Sequence, residues 1–568
     1  MLATNKFQGR IMEEHRQSAA VHQPPVLRLP AADWRTLLAG EGLDALERLL
    51  AVGIASRRWF GSKARRIRNA VVLDAFAISG EDRLVLVEVR FEEGAAEIYL
   101  LCLALATGPR AEHLLSEQST ALWARLDTPA AEQAAVLYEP LVDATFCGEL
   151  LQLIETERRL AGQQGEIVGW RTAEFAQARG DSALPLVPRI LSSEQSNTSI
   201  IFGDRLILKL FRRPDIGLNP DLELSDHLTR HGFRHTPPVA GAIEYRRGDD
   251  EPWSLASLQQ FVANQGDAWQ YTLAALETVI NTASADQPLP AELVERGGLR
   301  LVAAAQAALP SELASSLGDF IADAARLGTR TAEMHQALAQ HDNDPAFTPQ
   351  PLLPTEQQAF ADRASSLVKE TFDLLRRQAL LLSGETLRLA DTLLDCRPRA
   401  LADLAQFARR PISVQQIRCH GDYHLGQVLV TNDGDFVIID FEGEPARPLA
   451  ERRRKQLALR DVAGMIRSFH YASCTAASKA QQSTKPTDAR AIAAKAAAWY
   501  FWTSVAFLQA YRRAVQDAPF VPRADDQFER LLDACLLEKA VYELRYELNN
   551  RPDWVYLPLT ALCDLLSG

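Results

Sequence analysis

HGDYHLGQVLV, at residues 420–430, is followed after a short turn by VIIDFE, at residues 437–442. Two short apolar runs that are joined by a turn predict a β-hairpin. The turn itself, at residues 431–435, contains Asn432, Asp433 and Gly434, which favour reversals of the chain. In such a hairpin the residues just before the first run and at the end of the second, Gln427 and Asp440, lie side by side.

Three oxygen-bearing side chains of this segment suit the transfer of a phosphoryl group from ATP to an alcohol. The reaction needs a carboxylate that orients the attacking hydroxyl and accepts its proton, and ligands that hold Mg²⁺ against the phosphates. Asp422 is the candidate carboxylate, and Gln427 and Asp440 are the candidate Mg²⁺ ligands, because this hard cation prefers oxygen. The simpler alternative is that both aspartates only cap turns beside a buried hairpin.

The segment resembles the maltokinase family, a branch of the eukaryotic-like kinases related to aminoglycoside phosphotransferases. Gln427, where most relatives have Asn, and Glu442, where protein kinases have Gly, both fit maltokinases. Further similar blocks are RWFGSK at residues 58–63, LRDVAGMIRSF at 459–469, EKAVYELRYE at 538–547 and NRPDW at 550–554.

The resemblance implies an α+β, bilobal protein-kinase-like fold with a small β-rich N-lobe, a large α-helical C-lobe and an additional N-terminal α/β cap domain. It also implies ATP-dependent phosphorylation of maltose to maltose 1-phosphate with Mg²⁺ as cofactor, and association with trehalose synthase. Under this resemblance Asp422 is the base, and Gln427 and Asp440 hold the metal.

The chain has 568 residues, which is enough for two or three domains. We expect a poorly ordered lead-in at residues 1–28, a cap domain at 29–183, a nucleotide-binding N-lobe at 184–264 and a helical C-lobe at 265–568. Within the cap we expect a helix at residues 34–51 and a hairpin of residues 84–91 with 97–103. Arg57, Arg58 and Trp59 have the character of an anchoring surface.

The nucleotide end of the site is predicted around a hairpin of residues 199–202 and 205–211, joined at Gly203-Asp204. Lys209 is a lone cation in an apolar run, and the simpler interpretation is a lysine that faces solvent. Kinases use such a lysine on the α- and β-phosphates and hold it with a helix glutamate, for which Glu223 is the candidate and Asp221 a competitor. The preceding turn would contact phosphate through Ser196, Asn197 and Thr198.

The acceptor site is predicted mainly on a C-terminal helix, where Tyr542 and Tyr546 are four residues apart and share one face. Half-buried core tyrosines are the simpler alternative. Glu543, Arg551, His424 and Glu444 complete the predicted sugar contacts. Two further residues are expected to support the catalytic loop rather than to contact substrate: Asp461 and His335.

Composition excludes several classes of function. The net charge of −12 argues against a nucleic-acid partner. The seven cysteines form no CxxC pair, which argues against a zinc site or a disulfide framework and favours a reduced, cytoplasmic setting. The N-terminus lacks the apolar core of a signal peptide, and residues 499–511 predict a buried helix rather than a membrane span.

Two rival functions stay open at this point. A kinase of the same fold could act on glucosamine, an aminoglycoside or choline, although a cationic acceptor calls for more carboxylates than a neutral sugar needs. Alternatively, the chain could be a pseudokinase that binds nucleotide and docks on a trehalose synthase. The presence of Lys209, Asp422, Gln427 and Asp440 argues against lost chemistry.

Overall fold

The computed structural model describes residues 24–129, 133–191, 196–281, 301–341, 343–445, 447–482 and 486–567. It divides into two compact units, one of Met1–Leu218 with Val239–Phe261 and the other of Asn219–Pro238 with Val262–Gly568. Residues 1–23 of the predicted lead-in lie outside the described residues. Within the remainder of that segment, Val26–Arg28 forms a strand that pairs with residues 125–127, so these three residues are part of the cap sheet.

A six-stranded sheet forms the first part of unit 1. In chain order its strands are β1 (Val26–Arg28), β2 (Ile67–Ser79), β3 (Asp82–Phe91), β4 (Glu97–Thr107), β5 (Leu122–Asp127) and β6 (Ala135–Tyr138). Their order across the sheet is β1-β5-β6-β4-β3-β2. The predicted hairpin is confirmed, since β3 and β4 pair antiparallel with Val87 opposite Tyr99. Three helices accompany this sheet: α1 (Trp34–Leu37), α2 (Gly40–Gly53) and α3 (Gly108–Glu117).

The single helix predicted for residues 34–51 was wrong, because the chain breaks between α1 and α2. Asp33 caps α1 through the backbone N–H of Thr36, and Gly40 adopts a φ of +50°, which ends one helix before the next begins. A Cβ atom on Gly42 would lie 2.0 Å from the Thr36 carbonyl oxygen, so the two helices approach too closely for a larger residue.

Trp59 and Phe60 of the RWFGSK block belong to the interior of the cap, whereas Arg58, Gly61 and Lys63 are exposed. Trp59 and Phe60 are buried in the same cluster as Tyr99, with ring centroids 5.9 and 5.3 Å from the tyrosine ring. Arg57 donates to the carbonyl oxygens of residues 120 and 122 and stacks on Trp123 at 3.9 Å. The expectation of a surface role was therefore wrong for Arg57 and Trp59.

A seven-stranded sheet forms the second part of unit 1, with the order β7-β8-β12-β13-β11-β10-β9. Its strands are β7 (Arg159–Ala161), β8 (Glu166–Arg171), β9 (Pro188–Ile190), β10 (Thr198–Phe202), β11 (Leu206–Leu210), β12 (Val239–Arg246) and β13 (Trp253–Gln260), and helices α4 (Ala144–Glu155) and α5 (Phe175–Arg179) lie within this segment. The predicted hairpin is confirmed: β10 and β11 pair antiparallel, and Gly203 and Asp204 both adopt a φ of +52°.

Asp74 ties the two sheets of unit 1 together. It lies on β2 of the first sheet, is 2% exposed, and accepts hydrogen bonds from the backbone N–H groups of Gln163, Gln164 and Gly165 at 2.7–3.0 Å. Those three residues form the turn between β7 and β8 of the second sheet. One carboxylate therefore satisfies three donors of a turn that connects strands of the other sheet.

Unit 2 is mainly helical. Its helices are α6 (Pro220–Arg230), α7 (Ala268–Asn281), α8 (Leu301–Ala304), α9 (Leu313–Leu317), α10 (Phe320–Leu338), α11 (Pro354–Gln378), α12 (Gly384–Asp395), α13 (Arg397–Arg409), α14 (Leu449–Arg452), α15 (Leu459–Gln481), α16 (Pro486–Val515), α17 (Asp525–Asn550) and α18 (Tyr556–Ser567). It also holds a three-stranded sheet of β14 (Asn264–Asp267), β17 (Val428–Thr431) and β18 (Phe436–Ile438), and a short pair of β15 (Gln350–Pro351) with β16 (Gln415–Gln416). The hairpin predicted from the opening motif is thus confirmed as β17 and β18.

Helix α6 groups with unit 2, although the sequence placed it in the N-lobe. Leu224 and Leu228 belong to the core cluster of the helical unit, and the His227 ring stacks on Phe347 with centroids 3.6 Å apart. The assignment of domain boundaries at residues 183 and 264 stays a prediction. The chain leaves unit 1 at Phe261.

One segment of α16, Ala489–Val515, is long and apolar enough by length and composition to cross a membrane, and 67% of its most apolar window is buried within the protein. Trp499 and Phe507 contribute to the aromatic centre of unit 2 around Phe469. This burial is typical of a core helix, as the sequence predicts.

We expect Asp74→Ala to lower the free energy of unfolding by about 3 kcal/mol, because it leaves buried backbone N–H groups without an acceptor. Urea denaturation of the purified variant measures this change. The matched control is Asp127→Ala, since Asp127 is 61% exposed and its ion pair with Arg28 is long; its effect should stay below about 0.5 kcal/mol. Equal effects of the two substitutions would contradict the assignment.

Candidate active site

The loop at residues 420–422 is fixed by the buried carboxylate of Asp461. Its Oδ2 accepts from the backbone N–H of His420 at 2.8 Å, and its Oδ1 accepts from that of Gly421 at 3.0 Å. His335 Nε2 lies 3.1 Å from the same Oδ2, and its Nδ1 lies 2.9 Å from the Tyr511 hydroxyl. Burial alone would raise the pKa of Asp461, but these hydrogen bonds outweigh it and the pKa lies below its ordinary value. The expected supporting roles of Asp461 and His335 agree with this geometry.

Helix α15, which carries Asp461, approaches the loop at a glycine. A Cβ atom on Gly464 would lie 2.6 Å from the carbonyl oxygen of Tyr423. Gly421 has a φ of +85°, in the region that favours glycine. The LRDVAGMIRSF block therefore supplies both an acceptor for the loop and the space in which the loop lies.

Asp422 directly follows the two residues that Asp461 holds, and its carboxylate lies close to the Lys539 ammonium of α17. The Lys539 ammonium lies 3.4 Å from Asp422 Oδ1. The His424 Nε2 lies 4.0 Å from Asp422 Oδ2, which is too long for a hydrogen bond. His424 Nδ1 accepts from the Gly426 N–H at 3.0 Å, so this ring caps the short 3₁₀ turn Leu425–Gln427. The carboxylate thus has one oxygen engaged and one available to a further donor.

The two predicted metal ligands are brought together by the hairpin. Gln427 Nε2 donates to Asp440 Oδ2 at 2.8 Å. Asp440 adopts a φ of +68°, a conformation that is uncommon for a residue with a side chain and is found at functional sites. The backbone is held just beyond it, since Phe441 N–H donates to Asp221 Oδ1 at 2.8 Å.

Carboxylate oxygens of Asp221, Asp440 and Glu442 lie within 4.8 Å of one another. Together with the Gln427 amide they offer the all-oxygen donor set that Mg²⁺ takes in proteins. The residues present therefore fit a divalent cation at this position. Asp221 does not cap its own helix, because that role falls to Asn219, whose side chain accepts from the Asp221 N–H.

Glu223 has two arginine partners within its own unit. Arg418 Nη2 lies 2.7 Å from Oε2, and Arg453 Nη2 lies 3.0 Å from Oε1. Burial would raise the pKa of Glu223, but the two guanidinium groups outweigh it and the pKa is lowered. The predicted pairing of Glu223 with Lys209 stays a prediction. Neither arginine was anticipated as its partner.

The predicted phosphate-binding residues of unit 1 lie on or beside β10 and β11. Ser196 is exposed, whereas Asn197 and Thr198 are buried. The Thr198 hydroxyl accepts from Arg212 Nε at 2.8 Å, so it serves an internal hydrogen bond. Lys209 is half-buried, stands opposite Ser199 in the hairpin register, and has its ammonium 5.9 Å from the Phe211 ring centroid.

Two of the predicted sugar contacts, Glu444 and Tyr542, line one crevice beside the catalytic loop. The crevice has an internal volume of about 30 Å³, which holds a water molecule rather than a sugar ring. The remaining lining residues are Leu367, Gly421, Tyr423, Arg447, Arg460, Asp461, Gly464, Cys535, Glu538 and Lys539.

The other predicted contacts on α17, and Arg551 just after it, do not line this crevice. Glu543 forms a buried ion pair with Arg467 Nε at 2.8 Å. Arg551 pairs with Glu547 at 2.9 Å and stacks on Tyr546 at 5.1 Å, and Tyr546 itself is 44% exposed. The helical face shared by the two tyrosines therefore runs from the crevice at Tyr542 out to solvent at Tyr546.

Lys539 is the residue that sequence reasoning missed. It lies three positions before Tyr542, so the helical spacing places the two on one face, and its ammonium is 5.4 Å from the Tyr542 ring centroid. This helical spacing alone would have placed Lys539 on the same face as the predicted sugar contact Tyr542. Its approach to Asp422, from 117 residues away in the chain, required the structure.

Comparison with known proteins identifies two family matches along the chain. Residues 188–444 match the phosphotransferase enzyme family, and residues 54–143 match the maltokinase N-terminal cap domain. The first match includes the catalytic-loop hairpin, and the second includes the RWFGSK block.

Two curated relatives are both glucosamine kinases. That of Streptacidiphilus jiangxiensis is 30% identical over 380 residues, which cover 66% of this chain and 72% of the relative. That of Mycolicibacterium smegmatis is 24% identical over 381 residues, which cover 66% of this chain and 79% of the relative.

A solved structure of a glucosamine kinase in complex with glucosamine, ADP and inorganic phosphate is similar with a TM-score of 0.58 and 20% identity, covering 91% of this chain and 98% of that one. A second solved structure, crystal form B of a glucosamine kinase, is similar to this chain with a TM-score of 0.59. At this identity the likeness shows the fold, and it confirms the predicted α+β kinase-like class with an N-terminal cap. The chain therefore belongs to the phosphotransferase enzyme family, among the members that carry a maltokinase N-terminal cap domain.

Proposed function

We propose that this protein transfers the γ-phosphoryl group of ATP to the anomeric hydroxyl of maltose, which gives maltose 1-phosphate and ADP. The observation that carries the proposal is the arrangement of oxygens at the hairpin. Asp422 presents one available carboxylate oxygen, and Gln427 and Asp440 of the same motif are in contact with each other.

Asp422 orients the acceptor hydroxyl and takes its proton as the new bond to phosphorus forms. The bond between the γ-phosphorus and the bridging oxygen of ADP breaks in the same displacement. Such catalysis rests mainly on positioning and electrostatics rather than on covalent chemistry. The fixed backbone of His420 and Gly421 limits the positions that the Asp422 side chain can reach, which supports this role.

Gln427 and Asp440 would hold Mg²⁺, with Glu442 and Asp221 close by. When bound, the cation offsets negative charge on the phosphates. Lys209 and the turn of Ser196, Asn197 and Thr198 are proposed to contact the phosphates from unit 1. Glu223, which is already held by Arg418 and Arg453, is proposed as the partner of that lysine.

The pairing of carboxylates at the crevice favours a neutral acceptor over a cationic one. Glu444 pairs with Arg447, and Glu538 pairs with Arg460 at 3.3 Å. The third carboxylate of the lining, Asp461, is occupied by backbone N–H groups and His335. A protonated amine would therefore find carboxylates that already have partners, whereas sugar hydroxyls can accept from arginine and lysine.

A second depression beside the crevice favours a disaccharide. It has a volume of about 410 Å³, opens to solvent and shares Leu367 with the crevice. Its other lining residues are Asp362, Arg363, Ser366, Glu370 and Arg545. A second sugar ring on this surface would meet charged and hydroxyl groups that suit its hydroxyls.

The alternative acceptor is glucosamine, which the names of the two curated relatives support. We place the reaction in the cytoplasm, where ATP is available, and all seven cysteines are free thiols. Association with trehalose synthase rests on the family resemblance and stays a prediction. A small neutral sugar is the proposed substrate.

Replacing the proposed base tests the catalytic assignment. We expect Asp422→Asn to lower kcat by about 10³-fold or more, because a positioned acid–base group contributes on this order. The KM for ATP should change little, since Asp422 is proposed to contact the acceptor. Coupled ADP-release kinetics measure both. Asp433→Asn, in the exposed turn of the same hairpin, is the matched control and should retain full turnover; near-normal turnover of Asp422→Asn would refute the role.

Replacing a proposed metal ligand tests the cation site. We expect Asp440→Asn to raise the Mg²⁺ concentration for half-maximal activity by about tenfold or more, because a charged oxygen ligand is lost. Titration of MgCl₂ at saturating ATP measures the shift, after correction for Mg²⁺ bound by the nucleotide. Asp433→Asn serves again as the control. An unchanged Mg²⁺ dependence would contradict the assignment of Asp440.

A panel of acceptors tests the substrate. We expect ADP release with maltose to exceed that with glucose, glucosamine or an aminoglycoside by at least about tenfold in kcat/KM, because the depression can hold a second ring. Identification of the phosphorylated product completes the test. A preference for glucosamine would support the alternative acceptor, and no release with any sugar would favour a pseudokinase.

A further inference from the structure

Lys539 stands among three carboxylates at the acceptor side of the catalytic loop. Its ammonium is 3.4 Å from Asp422 Oδ1, and its side chain is 21% exposed. Burial alone would lower the pKa of Lys539, but Asp422, Glu444 and Glu543 outweigh it and the pKa is raised. The lysine is therefore a permanent positive charge at this position.

The three carboxylates differ in their other partners. Glu444 forms an ion pair with Arg447, and Glu543 forms an ion pair with Arg467 at 2.8 Å. Over the described residues, the charged groups within ion-pair distance of Asp422 are Lys539 and the His424 ring, whose Nε2 is 4.0 Å away. Burial lowers the pKa of His424, which favours the neutral ring. Lys539 is thus the cation that balances Asp422.

The side from which Lys539 approaches also has a consequence for the acceptor. It engages Oδ1 and leaves Oδ2, which faces the His424 ring, for the acceptor hydroxyl. A cationic amine in the same place would be repelled by the ammonium, and it would gain little from carboxylates that are already paired. Since charge repulsion at a few ångströms in a partly buried site is strong, this one residue can discriminate between otherwise similar sugars.

We propose that Lys539 is a specificity-determining residue that admits neutral sugars to Asp422 and rejects amino sugars. The inference rests on the proposed function, because it takes the region around Asp422 to be the acceptor site. It goes beyond that function in assigning the choice between the two candidate acceptors to one side chain of α17.

The matched pair of probes is glucose and glucosamine, which differ only in a hydroxyl and an ammonium at one carbon. Their affinities are measured by isothermal titration at about pH 6.5, where an amine of this kind is protonated. Wild-type protein should bind glucose at least about tenfold more tightly than glucosamine, and Lys539→Met should reduce that ratio by at least about tenfold because it removes the repelling charge. Lys539→Arg should keep the wild-type ratio.

Lys479→Met is the control, since Lys479 is 72% exposed on the same unit and should not alter the ratio. Should Lys539→Met fail to fold, Lys539→Gln supplies the same neutral test with an amide that can still donate to Asp422. A variant that weakens both sugars by the same factor has a structural role only and overturns the proposal.

The binding measurement keeps the two proposals apart. If wild-type protein phosphorylates maltose while the glucose-to-glucosamine ratio is unchanged in Lys539→Met, the specificity assignment fails and the proposed function stands. If wild-type protein binds no sugar and releases no ADP with any, the proposed function fails, and the specificity assignment fails with it.

Discussion

The buried carboxylate of Asp461 is the constraint on which the candidate site depends. It accepts from two consecutive backbone N–H groups of the loop and is itself held by His335, which contacts Tyr511 on α16. An unpaired carboxylate at this depth would be costly, so the loop and the helices that surround it stabilise each other. The hydrogen bonds from His420 and Gly421 to Asp461 therefore fix the backbone just before Asp422.

A second set of paired charges organises the metal and acceptor sides. Asp221 on α6 holds the backbone just after Asp440, and Glu223 on the same helix is paired with Arg418 and Arg453. Around the crevice, each glutamate has an arginine partner. The charges that line the crevice are thus balanced, with Glu444, Asp461 and Glu538 against Arg447, Arg460 and Lys539. Under the proposed function, this balance favours hydroxyl groups over an ammonium ion.

Local features could be predicted from the sequence, whereas long-range partners could not. The hairpin of β17 and β18 and the turn at Gly203-Asp204 follow from apolar runs and residues that tolerate positive φ. The break before Gly40 was missed because the helical pattern continues through it, whereas the positive φ of Gly40 and the close approach at Gly42 became visible only in the structure. The partners of Glu223 and the approach of Lys539 to Asp422 join segments more than 100 residues apart, and no periodicity encodes such a contact.

The most direct test of the central claim is a crystal structure of the protein with maltose, Mg²⁺ and a non-hydrolysable ATP analogue. The account predicts the anomeric hydroxyl within hydrogen-bond distance of the Asp422 carboxylate and the cation on Gln427 and Asp440. A sugar bound elsewhere, or an Asp422 side chain turned away from both sugar and phosphate, would contradict it.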